Sequence, residues 1–310
     1  MAPRLSVVVP VYNSGSILPL LRKRVAEALD EAGLDYELVL VNDGSGDDSW
    51  ERIAELAYLD SRIRGLDLAR NYGQHNALLA GIRHARGETI VTIDDDLQNP
   101  PEEIPKLLAK LEEGYDVVYG SATERRQGLL RALGTRLTKW ALRAAIGSEI
   151  AGQVSAFRAF RTSLRDVFED FKGPYISIDA LLGWGTASFG AVPVRHDARA
   201  AGKSNYGFVR LATHALNVLT GYTTRPLRFA TLTGLALTLM GAGLLLFVLV
   251  RYFSEGNPVP GFPLLASIIS IFSGAQLLTL GIIGEYLARM HVRIMDRPPY
   301  ALREHSRSER

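Results

Sequence analysis

Glu88–Pro105 reads ETIVTIDDDLQNPPEEIP: an apolar run, three consecutive aspartates, then a proline pair. Ile90, Val91 and Ile93 have the character of a buried strand. Asp94, Asp95 and Asp96 load like charge onto its end, which is costly unless positive charge sits nearby. Side chains of an extended segment alternate, so Asp94 and Asp96 are expected to point one way and Asp95 the other. Two carboxylates on one side suit a hard cation, Mg2+ or Mn2+, held jointly by protein carboxylates and substrate phosphates. Gln98 adds a carbonyl oxygen if the chain stays extended. An acidic turn capping the helix after Pro100–Pro101 accounts for the same residues, since aspartate favours turns and helix starts.

Working outward, Leu5–Tyr12 and Tyr36–Asp43 are strand-like, with a helical pattern over Ile17–Ala32 between them. Gly65–Leu68 reads as a short strand, Gln74–Ala85 as a helix and Thr89–Asp94 as the next strand. Pro101–Glu113 reads as a helix opened by proline, and Asp116–Ala122 as a further strand. Apolar strands alternating with helices predict an α/β fold with a mainly parallel sheet covered on both faces. Ligands of such sheets bind beyond the carboxyl ends of the strands, which singles out Tyr12–Asn13, Asn42–Asp43 and Asp94–Asp96. No G-x-G-x-x-G follows the first strand, where the chain reads PVYNSGS, and no G-x-x-x-x-G-K-[ST] occurs. Both absences weaken dinucleotide-dehydrogenase and P-loop ATPase readings.

The 310 residues carry a formal net charge of +2, too mild to argue for nucleic acid as a partner. There is no cysteine, which excludes disulfides and thiolate metal sites. The start, MAPRLSVVVPVYN, reads as a strand rather than a signal peptide. Charge is spread along residues 1–228, but Phe229–Val250 holds no Asp, Glu, Lys or Arg, and neither does Gly256–Gly284. At ~1.5 Å per residue, about 20 residues cross a hydrocarbon layer ~30 Å thick. Buried core helices are the alternative, although these are usually shorter and amphipathic. Two spans are expected, at about 229–251 and 262–285, joined as a hairpin by a Gly- and Pro-bearing linker. Arg225 and Arg228 precede the first, Arg289, Arg293 and Arg297 follow the second, and only Arg251 lies between. That distribution predicts a cytoplasmic location for both termini and for the bulk of the chain. Residues 206–228 read as an amphipathic juxtamembrane helix and 286–310 as a cytoplasmic tail. Glu285, a charge at the end of a span, suggests a functional or packing role.

Several segments resemble one family in the right order. VVVPVYN, VNDGSGDDS, RNYGQHNALLAGI, IDDDLQNPPEEIP and EGYDVV look like successive motifs of inverting family 2 glycosyltransferases with a GT-A fold. They are most similar to the polyprenyl-phosphate sugar transferases, and GKSNYGFVRL, TTRPLR and GAQLLTLGIIGEYLARM extend the likeness through the hairpin. The resemblance implies a GT-A nucleotide-sugar-binding domain over residues 1–205. It implies that Asp94 and Asp96 hold Mg2+ or Mn2+ on the donor diphosphate, with Gln98 at the same site. Pro10, Tyr12, Asn13 and Asp43 would line the nucleoside, with Asp95 grouped on that side although its side chain is expected to face away. Arg131 and Thr135 match an Arg-x-x-x-Ser/Thr phosphate grip, which an ordinary helix surface also explains. Arg199, Lys203 and Ser204 match the acceptor-phosphate loop, which a solvated loop also explains. Arg158 is either a phosphate-holding cation or a structural salt-bridge partner. Asp96, Arg131 and Arg158 are thus the implied catalytic residues, and Asp95→Ala is expected to be mild.

Two departures stand out. Ser14 follows Asn13 where the family usually has an acidic residue, and Gly152–Gln153 occupy a stretch that is acidic in many relatives. Asp179 falls near a later acidic position, and His75 reads as a donor-site packing residue rather than a metal ligand. The implied partners are a UDP- or GDP-sugar, a polyprenyl phosphate and the membrane, with a homo-oligomer left open. A processive polysaccharide synthase would carry Q-x-x-R-W and more spans, and a membrane scaffold would have no use for the acidic strand end.

Overall fold

The computed structural model describes residues 3–122, 154–169, 171, 176–197, 224–255 and 261–305. Among the described residues eight strands form one sheet: β1 (Leu5–Val11), β2 (Tyr36–Asn42), β3 (Ile63–Leu68), β4 (Thr89–Thr92), β5 (Val117–Ala122), β6 (Arg158–Arg161), β7 (Phe189–Val194) and β8 (Leu302–His305). Their order across the sheet is β7-β5-β6-β4-β1-β2-β3-β8. The β4-β1-β2-β3 centre is parallel, as the alternation of strand and helix predicts; β6 and β8 run antiparallel to their neighbours.

β1 and β2 are buried along their whole length because helices cover both faces. Val7, Val9, Val11, Leu38 and Leu40 face α1 (Leu18–Glu31), α2 (Ser49–Leu59) and α4 (Ile104–Glu112). The alternate residues Val8, Val39, Val41 and Ile90 face α3 (Gln74–His84), α5 (Asp166–Glu169) and α6 (Ile178–Gly185). The period of two thus divides one apolar run into two core layers. Pairing of Val11 with Asn42, and of Asn42 with Asp67, sets the carboxyl ends of three strands side by side. The loops beyond them share a single rim.

Two long helices complete the described chain, α7 (Arg225–Glu255) and α8 (Phe262–Ile294). Each contains a stretch long and apolar enough to cross a membrane, Pro226–Arg251 and Ile271–Ile294, and neither stretch is buried inside the molecule. The core-helix alternative therefore fails for these residues. Both helices outrun the expected spans, so Arg289 and Arg293 lie on α8 itself. Glu285 accepts from Arg289 Nη2 at 2.6 Å, one turn on, so its charge is paired within the helix. The segment after α8 departs from a simple tail, because Leu302–His305 pairs with β3 and joins the sheet of the N-terminal half. Most of the expected juxtamembrane helix, residues 206–223, lies outside the described residues.

Candidate active site

The acidic triplet sits on the rim, beside the loops after β1 and β2. β4 ends at Thr92, the chain turns at Asp95–Asp96, and Leu97 adopts a left-handed φ of 56°. The strand alternation therefore stops before the triplet, and each aspartate is oriented by its own partner. Asp94 Oδ1 accepts from Gln74 Nε2 at 2.7 Å, at the start of α3. Asp95 Oδ2 accepts from the Tyr12 amide at 3.2 Å, at the end of β1. Asp96 Oδ1 accepts from the Gln98 amide at 3.0 Å, within the turn. Asp95 does not face away, contrary to the extended-chain expectation; it ties the acidic turn to the first strand's loop. Burial pushes its carboxyl upward against hydrogen bonds from the Ser14 side chain and the Tyr12 amide, and Asp96 adds to the rise.

Gln98 also departs from expectation. The chain does not stay extended, and the Gln98 carbonyl accepts from the Asp197 amide at 2.8 Å, so its backbone joins two loops. Among the described residues no three His, Asp or Glu side chains converge into a metal cage built from protein alone. Hard carboxylates gathered at one strand end without such a cage fit a cation shared with substrate phosphates.

The loops after β1 and β2 are held by a web of backbone amides on side-chain oxygens. Asp43, 3% exposed, accepts from the Tyr72 and Gly73 amides at 2.7 and 2.9 Å, which folds the loop after β3 over it. Burial raises its pKa against those two bonds. Gly44, at φ 63°, packs on the backbone of Arg70–Asn71, where any β-carbon would collide. Asn13, at φ 51°, accepts on Oδ1 from the Gly46 amide at 2.8 Å, and its own amide donates to Ser45 Oγ at 3.0 Å. Tyr12 is half exposed at the mouth, whereas Pro10 is buried in β1.

Sequence reasoning passed over Asp47, Gln74 and Asp67. Asp47 Oδ2 accepts from the Gly15 amide at 3.1 Å, and Oδ1 accepts from Ser49 Oγ at 2.5 Å. Burial pushes Asp47 up, but the bonds from Ser49 and Gly15 outweigh it and hold the carboxyl below its usual range. A carboxylate thus stands beside Ser14–Gly15 although Ser14 itself is neutral. The DGSGDDS composition signalled a turn, but not which acid would be placed there.

Arg158 resolves toward its structural alternative. It is 2% exposed, forms an ion pair with Asp179 of α6, and donates through Nε to Thr92 Oγ1 at 3.1 Å. Tyr119 donates to the same Asp179 oxygen at 3.0 Å, and burial beside that carboxylate pushes the phenol well up. A guanidinium enclosed in this way pins β6 to β4 and α6, the structural salt-bridge role that the sequence left open. His75 Nδ1 lies 3.4 Å from the Ile178 amide, in keeping with a packing role.

Arg131, Thr135, Arg199, Lys203 and Ser204 lie outside the described residues, as do Gly152–Gln153. The chain leading into residues 199–204 starts against the acidic turn: Asp197 bonds Gln98, His196 Nδ1 is 3.3 Å from Asn99 Oδ1, and Arg195 donates to Glu103 at 3.0 Å.

A mainly parallel sheet with an acidic turn beside the loops after β1 and β2 on one rim is the architecture of the GT-A class. The pattern for glycosyl transferase family 2 matches residues 6–168, and the chain belongs to that family. It is 39% identical over 302 residues to the undecaprenyl-phosphate 4-deoxy-4-formamido-L-arabinose transferase of Shewanella sediminis (strain HAW-EB3), covering 96% of this chain and 91% of the relative. The enzyme of that name from Klebsiella pneumoniae subsp. pneumoniae is 36% identical over 300 residues, with 96% and 92% coverage. Among solved structures, glucosyl-3-phosphoglycerate synthase from Mycobacterium tuberculosis with phosphoglyceric acid superposes at a TM-score of 0.52 and 24% identity, covering 72% of this chain and 80% of that one. The same enzyme with Mn2+, uridine-diphosphate-glucose and phosphoglyceric acid gives 0.50 at 21% identity, covering 72% and 79%. At these identities the two structures speak for the fold alone.

Proposed function

We propose that this glycosyltransferase moves a sugar from a UDP- or GDP-sugar to a polyprenyl phosphate, undecaprenyl phosphate being the first candidate, at the cytoplasmic membrane face for cell-envelope modification. The carrying observation is that the acidic rim and two lipid-length helices belong to one unit, since β8 returns from the second helix into the catalytic sheet. The near full-length relatives, named for an undecaprenyl-phosphate acceptor, support it. A polyprenyl tail is insoluble, so its phosphate is met only at the interface, where the helices hold the rim.

In the proposed reaction a lipid phosphate oxygen attacks the anomeric carbon with inversion, and the nucleoside diphosphate leaves. A phosphate monoester is already ionised near pH 7, its second pKa being about 6, so no strong general base is required. Mg2+ or Mn2+ bound with the diphosphate would act as a Lewis acid on the leaving group. Asp94 and Asp96 would hold it, oriented by Gln74 and by the Gln98 amide. Asp43, Asn13 and Tyr12 would shape the nucleoside pocket. Arg131, Thr135, Arg199, Lys203 and Ser204 would bring the acceptor phosphate into line and offset its repulsion from the donor.

Membranes carrying the protein, given radiolabelled UDP- and GDP-sugars, undecaprenyl phosphate and Mg2+ or Mn2+, should form a labelled glycolipid. EDTA should abolish it, and Asp96→Asn should lower kcat about a hundredfold or more, the several kcal/mol expected of Lewis-acid stabilisation. Glycolipid formed equally well in EDTA, or unchanged in Asp96→Asn, would overturn the mechanism.

A further inference from the structure

β8 meets β3 with one irregularity. Leu66 faces His305, Asp67 faces Glu304 and Leu68 faces Leu302, which leaves Arg303 as the extra residue of a bulge. Bulges re-aim side chains, often beside active sites. Here Arg303 Nη1 reaches Asp67 Oδ2 at 3.4 Å, and Nη2 donates to the Ala69 carbonyl at 2.7 Å. The Ala69 amide donates back to the Ala301 carbonyl at 2.8 Å. Asp67 is 1% exposed, and a carboxylate so enclosed is costly unless paired with a cation.

The other Asp67 oxygen accepts from Asn42 Nδ2 at 2.7 Å. That bond fixes which way the Asn42 amide faces, so its Oδ1 accepts from the Ser45 amide at 3.2 Å. Ser45 Oγ in turn accepts from the Asn13 amide, and Asn13 Oδ1 accepts from the Gly46 amide. A continuous hydrogen-bonded chain therefore runs from the strand after the second membrane helix to both nucleotide-side loops.

We propose that Arg303 is a positioning residue for the donor nucleotide, holding the loops after β1 and β2 in place through Asp67 and Asn42. The claim about nucleotide rests on the glycosyltransfer reading; the claim about loop position does not. Without the guanidinium, Asp67 is a buried charge with a weakened partner set. Asn42, already bonded to one Asp67 oxygen, can then turn toward the other; the Ser45 amide loses its fixed acceptor, and the Ser45–Asn13 and Asn13–Gly46 bonds loosen with it.

The test uses the full chain in detergent or nanodiscs, with UDP and GDP each titrated in the presence of Mn2+. Arg303→Ala should raise the Kd of whichever nucleotide binds the wild type, and the donor KM, about tenfold. kcat and the acceptor KM should stay within about twofold, and Arg303→Lys should recover part of the loss. Glu304→Ala, which removes the neighbouring contact to Trp50 Nε1 at 3.3 Å, should leave nucleotide affinity unchanged. Amide hydrogen exchange without nucleotide should quicken at Ser45 and Gly46 in Arg303→Ala. Unchanged exchange and Kd in Arg303→Ala would overturn the proposal, as would an equal rise in Kd from Glu304→Ala or a fall in kcat at constant donor KM. A wild type that binds neither nucleotide would reject the glycosyltransfer reading, and exchange at Ser45 and Gly46 would still decide the loop claim.

Discussion

Asp95 lies between two stretches that must meet for the rim to form, the acidic turn and the end of β1. Its Oδ2 fixes the Tyr12 amide, and Tyr12 carries the half-exposed ring at the mouth of the site. Losing one such charge-assisted bond costs about 1.5 kcal/mol. Asp95→Ala should therefore raise the donor KM by about tenfold or more, whereas Asp95→Asn, which keeps an acceptor oxygen, should stay close to the wild type. Steady-state transfer with the donor varied checks this, and equal KM values for the two variants would sink the anchoring role. The difference from the mild effect expected of an outward-facing Asp95 traces to where the strand stops. TIVT alternates as a strand does, but β4 ends at Thr92 and the chain turns at Asp95–Asp96, with Leu97 left-handed just beyond, and nothing in the composition of DDDLQN announces it. Arg158 was ambiguous for a similar reason: a strand shows which residues share a face, while the acid that meets Arg158 lies 21 positions on, in α6.

The elements legible in the chain were those whose own burial defines them. β1 and β2 are apolar on both faces, and α4 begins at prolines, so periodicity and breakers were enough. β8, Leu-Arg-Glu-His, exists because β3 offers it an edge, and no local pattern marks it. Charge also joins elements. Asp60, after α2, accepts from Arg22 of α1 at 3.0 Å and from the Arg62 amide and guanidinium before β3. Burial pushes the Asp60 carboxyl up, but these bonds outweigh it and hold it at about 2. The folded value lies below the unfolded one, so the stabilisation is complete above the ordinary value of 3.8 and is lost as pH falls toward 2. With Arg22 and Arg62 more than a third exposed, screening reduces it to about 1 kcal/mol. Asp60→Asn should be less stable than the wild type by about that much at pH 5, and the gap should fall to about a third by pH 2.5 and close only below pH 2. Denaturant unfolding at the two pH values measures it; a gap independent of pH would assign the effect to packing instead.

For the whole molecule, the path of the chain constrains its topology. The strands β1–β7, the last ending at Val194, and Leu302–His305 build one sheet, so the polypeptide leaves that sheet for α7 and comes back to it after α8. Two crossings return a chain to the side it left, whereas one crossing or three would strand β8 across the bilayer from β3. Gly241 supports close packing of the hairpin, because a β-carbon there would press on the ring of Phe272. The arginine distribution predicts the direction: with Arg225, Arg228, Arg289, Arg293 and Arg297 at the sheet's end of the helices and Arg251 at the other, the sheet is expected on the cytoplasmic side. The natural chain has no cysteine, so single-cysteine labelling reads this directly. In intact bacteria a membrane-impermeant maleimide should label Asn257→Cys, between the helices. Lys23→Cys, on the exposed face of α1, and Met295→Cys, just past α8, should label only after lysis. Opposite accessibility for Lys23→Cys and Met295→Cys would break the two-crossing path, and with it the pairing of β8 to β3 within one chain. Labelling of both from outside would keep the path and reverse the orientation, placing the acidic rim on the wrong side for a cytoplasmic sugar nucleotide.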